Sequence, residues 1–377
     1  YLFVGSLVAV LVMCLLPNAG SFGMAVSTAM IFGLVSLMFL DTSINMAMQP
    51  FKMMVGDMVN EKQKGLAYSI QSFLCNAGSL VGFLFPFIFT WIGISNIAPQ
   101  GVVPDSVIYS FYIGAAILIL CVIYTTVKVK EMPPAEYAEY HGITEEEEKE
   151  KINMVKLLVK APKAFWTVGL VQFFCWFAFM FMWTYTNGSV AANVFDAPTV
   201  ETAVNGVSKV MLDTKSIQYQ DAADWVGVLF AVQAIGSVLW AVCIPLFKDR
   251  KLIYSLSLVL GGLGFISTYF VHNQYVLFIS FLLIGCAWAA MLALPFTILT
   301  NALSGGHMGT YLGLFNGTIC IPQIVAASLG GSILALFTPK GMLPPEINML
   351  VMAGVMLIIG AVCVYLIKET KGEQTKA

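Results

Sequence analysis

Apolar runs dominate this chain, and short polar segments break them at regular intervals. Ten stretches, 1–17, 24–51, 66–92, 107–127, 164–187, 223–246, 252–271, 275–301, 309–337 and 348–367, approach or exceed the roughly 20 residues a helix needs to cross a bilayer. The runs are apolar throughout, without the alternation that marks barrel strands. Only helices or closed barrels satisfy backbone polar groups inside a membrane, so all ten are expected as helices. The fold class that follows is an all-α polytopic membrane protein.

The polar segments then fix an orientation. Segments 52–65, 128–163, 247–251 and 368–377 hold all of the 19 Lys and Arg residues except Lys209, Lys215 and Lys340. Alternating spans place these four segments on one side, which the positive-inside rule makes cytoplasmic. Segment 128–163, with its run Glu145–Glu148, reads as a charged cytoplasmic linker. It separates spans 1–127 from a six-helix unit and tail at 164–377. If the second half is a complete bundle of six, symmetry implies a first bundle of which 1–127 is the remnant, lacking its first two helices. A Pro-Phe step near a helix end, followed by a short turn and a Gly, occurs at 50–51 and again at 295–296, as in an internal repeat.

Composition sharpens the class. Only 11% of residues are charged, about half the share usual in a soluble domain. The net charge of −2 argues against nucleic acid as a partner. All eight cysteines lie in apolar runs without CxxC spacing, as expected of small buried hydrophobes rather than a disulfide framework or metal site. No phosphate-binding loop, GxSxG or HExxH stands on a polar segment, so neither an ATP-driven pump nor a hydrolase is indicated. No cofactor or metal is expected. A membrane-embedded enzyme would need clustered acids, His or Cys at the membrane face, where only Asp57 and Glu61 lie. Energy would come from an ion gradient or the solute's own gradient.

Asp41 is the one acid well inside a span, flanked by FGLVSLMFL. A charge at that depth costs about 2.5–3.5 kcal/mol even on lenient insertion scales, and such residues mark ion or proton paths. Asn45 lies one turn on, sharing its face. No basic side chain within the spans can pair with Asp41, which suits a carboxyl that gains and loses a proton. A structural anchor between helices is the alternative. Gln172, Trp176, Phe179 and Trp183 recur on one helical face, where rings could stack on sugar C–H faces and the amide could bond hydroxyls; an aromatic packing stripe is the alternative. Asn316 and Gln323 share a face two turns apart, as a binding pair or as interhelical glue. Asn187-Gly-Ser and Asn316-Gly-Thr match the glycosylation pattern, the second within a span.

Several of these segments resemble a known family. FLDTSINMAMQPFKMMVGDM (39–58) resembles the fourth helix and following loop of sucrose–proton symporters, with Asp41, Asn45, Pro50 and Asp57 on the pattern and Lys52 in place of an arginine. CWFAFMFMWTY (175–185) resembles the seventh helix of bacterial relatives. FKDRK (247–251) is similar to a degenerate major facilitator loop. GCAWAAMLALPFTIL (285–299) and GTYLGLFNGTICIPQIVAASLGG (309–331) resemble helices ten and eleven. The acidic pair that plant members carry late in the seventh helix is replaced by MWTYT, and the intramembrane arginine of plant members has no counterpart within the spans.

The resemblance implies a member of the glycoside-pentoside-hexuronide:cation symporter group, with the chain covering family helices three to twelve. It implies uptake of a disaccharide or glucoside such as sucrose or maltose by alternating access, driven by a proton, with sodium an open alternative. Asp41 would couple the proton and touch the sugar. Asp41, Asn45, Gln172, Trp176, Trp183, Asn316 and Gln323 would bind substrate, and Lys52, Asp57, Asp249 and Arg250 would belong to loops that move in the cycle. The expected partners are a sugar and the lipid bilayer, the chain a monomer in the cytoplasmic membrane. A membrane solute sensor or scaffold of the same fold is the alternative.

Overall fold

The computed structural model describes residues 2–23, 26–58, 61–95, 103–130, 154–204, 207–247, 249–302 and 308–367, together with 133 and 136. The expected linker 128–163 therefore lies largely outside the described residues. The chain divides into two compact units, Tyr1–Glu148 and Lys149–Ala377.

The first unit contains α1 (Leu2–Leu15), a 3-10 turn (Leu16–Phe22), α2 (Val26–Met58), α3 (Glu61–Trp91) and α4 (Asp105–Lys128). Small residues bring its helices together. Gly5 of α1 meets α2 where a Cβ would stand 3.1 Å from the Ser43 carbonyl oxygen and 3.2 Å from the Ala47 Cβ. Asn18 donates from Nδ2 to the Tyr112 hydroxyl of α4 at 2.7 Å. The buried residues here are small ones such as Ser6, Ala9, Ser43, Ala47 and Ala115, whereas Met30, Leu34, Met38 and Phe39 are exposed. That is the pattern of helices whose large apolar groups meet lipid and whose small ones meet each other.

The second unit contains α5 (Met154–Val159), α6 (Lys163–Asn193), a hairpin of β1 (Thr199–Val204) and β2 (Val207–Leu212), α7 (Ile217–Cys243), α8 (Arg250–Ser267), α9 (Leu277–Ala302), α10 (Met308–Phe315), α11 (Gly317–Phe337) and α12 (Ile347–Cys363). Helix α6 packs on α7, α9, α11 and α12, and α8 packs between α9 and α12. Close crossings rest on glycine. A Cβ on Gly262 of α8 would lie 2.9 Å from the Gly354 carbonyl oxygen, and one on Gly354 of α12 would lie 2.6 Å from the Gly262 oxygen. The core is aromatic and aliphatic, with Phe165, Phe179, Phe181, Tyr254, Phe265 and Phe281 fully buried.

Nine helical stretches among the described residues are long and apolar enough to span a membrane. The fold is a multi-pass, all-α membrane architecture. The expected span 66–92 falls in α3, whose described apolar stretch is Leu74–Phe85.

Four local features differ from the sequence reading or add to it. Span 309–337 is two helices, because at Asn316 the bonding tightens: its N–H reaches back three residues to Gly313, at 3.2 Å. Helix α2 does not end after Pro50-Phe51 but continues to Met58. The polar stretch after α6 is not wholly irregular, since β1 and β2 pair antiparallel from Thr199↔Leu212 to Val204↔Val207. The Asn205-Gly206 step between them is the usual sequence signal for a two-residue hairpin turn. Finally, part of the expected linker packs on the second unit as α5, where the Tyr311 hydroxyl donates to the Leu157 carbonyl at 3.2 Å.

Candidate functional site

Chemistry-bearing residues occur in both units. In the first, Asp41 and Asn45 stand one turn apart on α2. Asn45 donates from Nδ2 to the Asp41 carbonyl at 2.9 Å and to Asp41 Oδ1 at 3.2 Å. Ser43 and Ala47, which meet α1, lie on the opposite side of α2, because two residues turn a helix by about 200°. Asp41 is exposed on the surface of its unit. It does not tie α2 to α1, so it is not the anchor of that helix pair.

In the second unit, Gln172 and Trp176 stand one turn apart on α6. Gln172 is 0% exposed, and neither its Nε2 nor its Oε1 has a partner among the described residues. The Trp176 indole N–H is likewise buried and unpartnered. A buried amide without hydrogen bonds costs about 1–3 kcal/mol by mutational measures, so two such groups together need a reason. A polar ligand or water that enters between the helices would supply their bonds.

Beside them is an aromatic wall. The ring of Trp288, from α9, lies 5.8 Å from that of Trp176, 5.8 Å from Trp183 and 4.9 Å from Phe179. Trp176 and Trp183 are 6.4 Å apart. Trp183 keeps 41% of its surface exposed. The fold thus brings Gln172, Trp176 and Trp183 together through Trp288, a residue the sequence reading passed over. Its signal was available: a lone Trp amid Ala-Trp-Ala-Ala, where small neighbours leave room for a ring.

Asn316 and Gln323 are half-buried, Asn316 at the α10–α11 break and Gln323 on α11. Helix α11 reaches α6 where Gly169 faces Thr318. No described hydrogen bond joins either amide to Gln172; the Asn316 amide lies 4.0 Å from Cys320 Sγ, one turn on. Asp249 caps α8, accepting at Oδ1 from the backbone N–H groups of Lys251 at 2.9 Å and Leu252 at 3.1 Å. Arg250 begins that helix and is exposed. Lys52 and Asp57 fall on α2, but their side chains lie outside the described residues.

Two further features were not foreseen or were read differently. Glu346, immediately before α12, is partly buried against α6, and burial raises its carboxyl to about 7. Its signal was hidden because Pro-Pro-Glu-Ile reads as a loop. Asn187, one of the two glycosylation matches, is inside α6 and donates to the Tyr219 hydroxyl at 3.0 Å, which is not the exposed loop such a modification needs. All eight cysteines are free, and among the described residues no cluster of His, Cys, Asp and Glu is arranged for a metal ion.

Residues 190–377 match the sequence pattern of the Major Facilitator Superfamily. No curated protein matches the chain in sequence. Solved structures do match in shape. A D-xylose–proton symporter aligns with 98% of this chain and 82% of its own, at TM-score 0.66 and 13% identity. The transporter FucP, of the Major Facilitator Superfamily and in its outward conformation, aligns with 98% of this chain and 83% of its own, at TM-score 0.61 and 11% identity. A bacterial homolog of the human lysosomal transporter Spinster, inward-facing and occupied, aligns with 97% and 81%, at TM-score 0.56 and 16% identity. The chain has the major facilitator fold seen in these structures. Its residues 190–377 carry the superfamily's sequence pattern as well.

Proposed function

We propose that this protein is a secondary active transporter that takes up a sugar, a disaccharide or glucoside such as sucrose or maltose, together with a proton. The observation that carries the reading is the buried, unpartnered pair of Gln172 and Trp176 beside the rings of Trp183 and Trp288. A sugar has two kinds of surface, hydroxyl edges and apolar C–H faces. An amide and an indole N–H would bond the first, and indole faces would stack on the second. Asn45, Asn316 and Gln323 would add amide contacts from their own helices. Asp41 would supply the group that carries the proton, since it is a carboxyl on a membrane helix with no basic partner among the described residues. Asp249 and Arg250, at the start of α8, and Lys52 and Asp57, towards the end of α2, would take part in the conformational cycle. The side bearing the basic segments would be cytoplasmic, and the chain would act as a monomer in the cell membrane.

The experiment is uptake by cells that express the full-length gene, using a panel of labelled disaccharides, with and without an uncoupler. Accumulation that collapses with uncoupler supports the proposal. Accumulation indifferent to uncoupler but dependent on sodium overturns the choice of ion. Sugar binding without any uptake would make the protein a sensor of the same fold.

A further inference from the structure

Three helices of the second unit converge on one carboxyl group. Glu346 precedes α12 in the turn that Pro344 and Pro345 introduce. It leans onto α6 so closely that a Cβ on Gly188 would overlap Glu346 Oε2. Glycine at 188 therefore opens the seat in which the carboxyl rests. Two phenols face it electrostatically, Tyr185 from α6 and Tyr219 from α7. Asn187, next to the seat, donates to the Tyr219 hydroxyl at 3.0 Å, and its own Oδ1 is buried without a partner among the described residues.

The electrostatics around the seat are one-sided. Burial alone drives the upward shift of the Glu346 carboxyl, and among the described residues no cation contributes to it. Lys340, in the turn before α12, is exposed. Helix α6 and helix α7 offer neutral phenols and an amide where a salt bridge would have held the carboxylate ionised. The end of the unit is also defined. Helix α12 starts where α6 ends and α7 starts, beside the β1–β2 hairpin and away from Asp249 and Arg250.

We propose that Glu346, Tyr219 and Asn187 form a proton-binding site at the hairpin end of the second unit, separate from Asp41. The neutral acid donates its proton to Asn187 Oδ1, the buried acceptor that lacks a donor. On ionisation the carboxylate takes a hydrogen bond from Tyr219, whose oxygen already accepts from Asn187 and whose own proton is still to be placed. The proton moves between Glu346 and water at the hairpin end, and no other group is consumed. The site rests on the packing of this unit alone and not on the sugar reading.

Infrared difference spectroscopy on the purified full-length protein in lipid nanodiscs tests this. Between mildly acidic and mildly alkaline buffer, a carboxylic acid C=O band should disappear with a midpoint near neutrality. Glu346→Gln should remove that band, while Asp41→Asn should leave it. Tyr219→Phe, which deletes the donor to the ionised form, should move the midpoint upward. A band that survives Glu346→Gln, or a midpoint in the ordinary carboxylate range near 4, overturns the proposal. Should Glu346→Gln fail to fold, Tyr219→Phe decides: an unmoved midpoint overturns the site. None of these readouts requires transport, so absence of sugar uptake leaves the result standing.

Discussion

The two units solve the same packing problem with different side chains. In α2 of the first unit, 11% of the apolar window is buried, against 67% in α6 of the second. The first unit buries Ser and Ala and turns its large apolar residues outward, whereas the second interlocks aromatic rings around α6. The placement of polar groups follows the same division. Asp41 and Asn45 lie on an outward face of α2, while Gln172 and Trp176 are sealed among helices. Polar chemistry that faces outward costs its own unit little, and polar chemistry that is sealed in has to be offset by surrounding packing. The difference teaches where substitutions should change function alone and where they should also change stability.

The largest effect is expected at Asp41. Asp41→Asn keeps size and hydrogen-bonding reach but cannot titrate, so concentrative uptake and sugar-induced proton uptake should be lost while expression and folding remain normal. If the variant still concentrates sugar with unchanged pH dependence, the outward carboxyl of the first unit is not the coupling group.

Next is the glycine seam of the second unit. Gly262→Leu forces side-chain atoms into the Gly354 carbonyl of α12 and should cost on the order of 3 kcal/mol, read as a sharply lower melting temperature in detergent. Gly78→Ala on α3 of the first unit, where a Cβ meets nothing within 4 Å, should change stability by less than about 1 kcal/mol and in the stabilising direction. Equal losses at both positions would erase the contrast between the units.

Glu346 gives the contrast a pH dependence. Burial pushes its carboxyl up from 4.5 to about 7, so the folded state holds the proton more tightly. The linked stabilisation is fully present below the unfolded value and is lost as pH rises through the folded one. Melting temperature should therefore fall between about pH 4.5 and 7, by an amount worth at most ~3 kcal/mol. Glu346→Gln should flatten that slope, and an unchanged slope in the variant would assign it to another group.

A small stability change, with a large functional one, belongs to Gln172. Replacing it by Leu removes two unpartnered polar atoms from a buried position, so stability should hold or rise by about 1 kcal/mol. Sugar binding should weaken roughly tenfold or more, measured by equilibrium binding of labelled substrate. A marked loss of stability would mean that Gln172 is structural.

The membrane architecture was legible because long apolar runs leave helices as almost the sole solution, and the charged breaks between them were distinct. The hairpin could have been read from Asn205-Gly206 between β-branched residues, but membrane reasoning treats such stretches as mere connections. The Asn316 break was harder, since Gly and Pro are common in membrane helices that stay continuous. At the candidate site, i, i+4 spacing placed Gln172 with Trp176 because both stand on one helix. Trp288 and Glu346 were not found, as each meets its neighbours only through the folding of distant segments. No periodicity within α9 or α12 encodes which residue of α6 will face it.

The reciprocal contact of Gly262 and Gly354 also has a mechanical meaning. Backbone meets backbone there, with the Ile266 and Ile358 side chains wedged beside it, so α8 and α12 should move as one stiff pair. Between α6 and α11, by contrast, the contacts run through side chains that can change rotamer, Thr318 on Gly169 and Tyr185 on Gly330. Shear within the second unit should concentrate along that softer α6–α11 seam, next to the helix break at Asn316, which can bend as the seam slips.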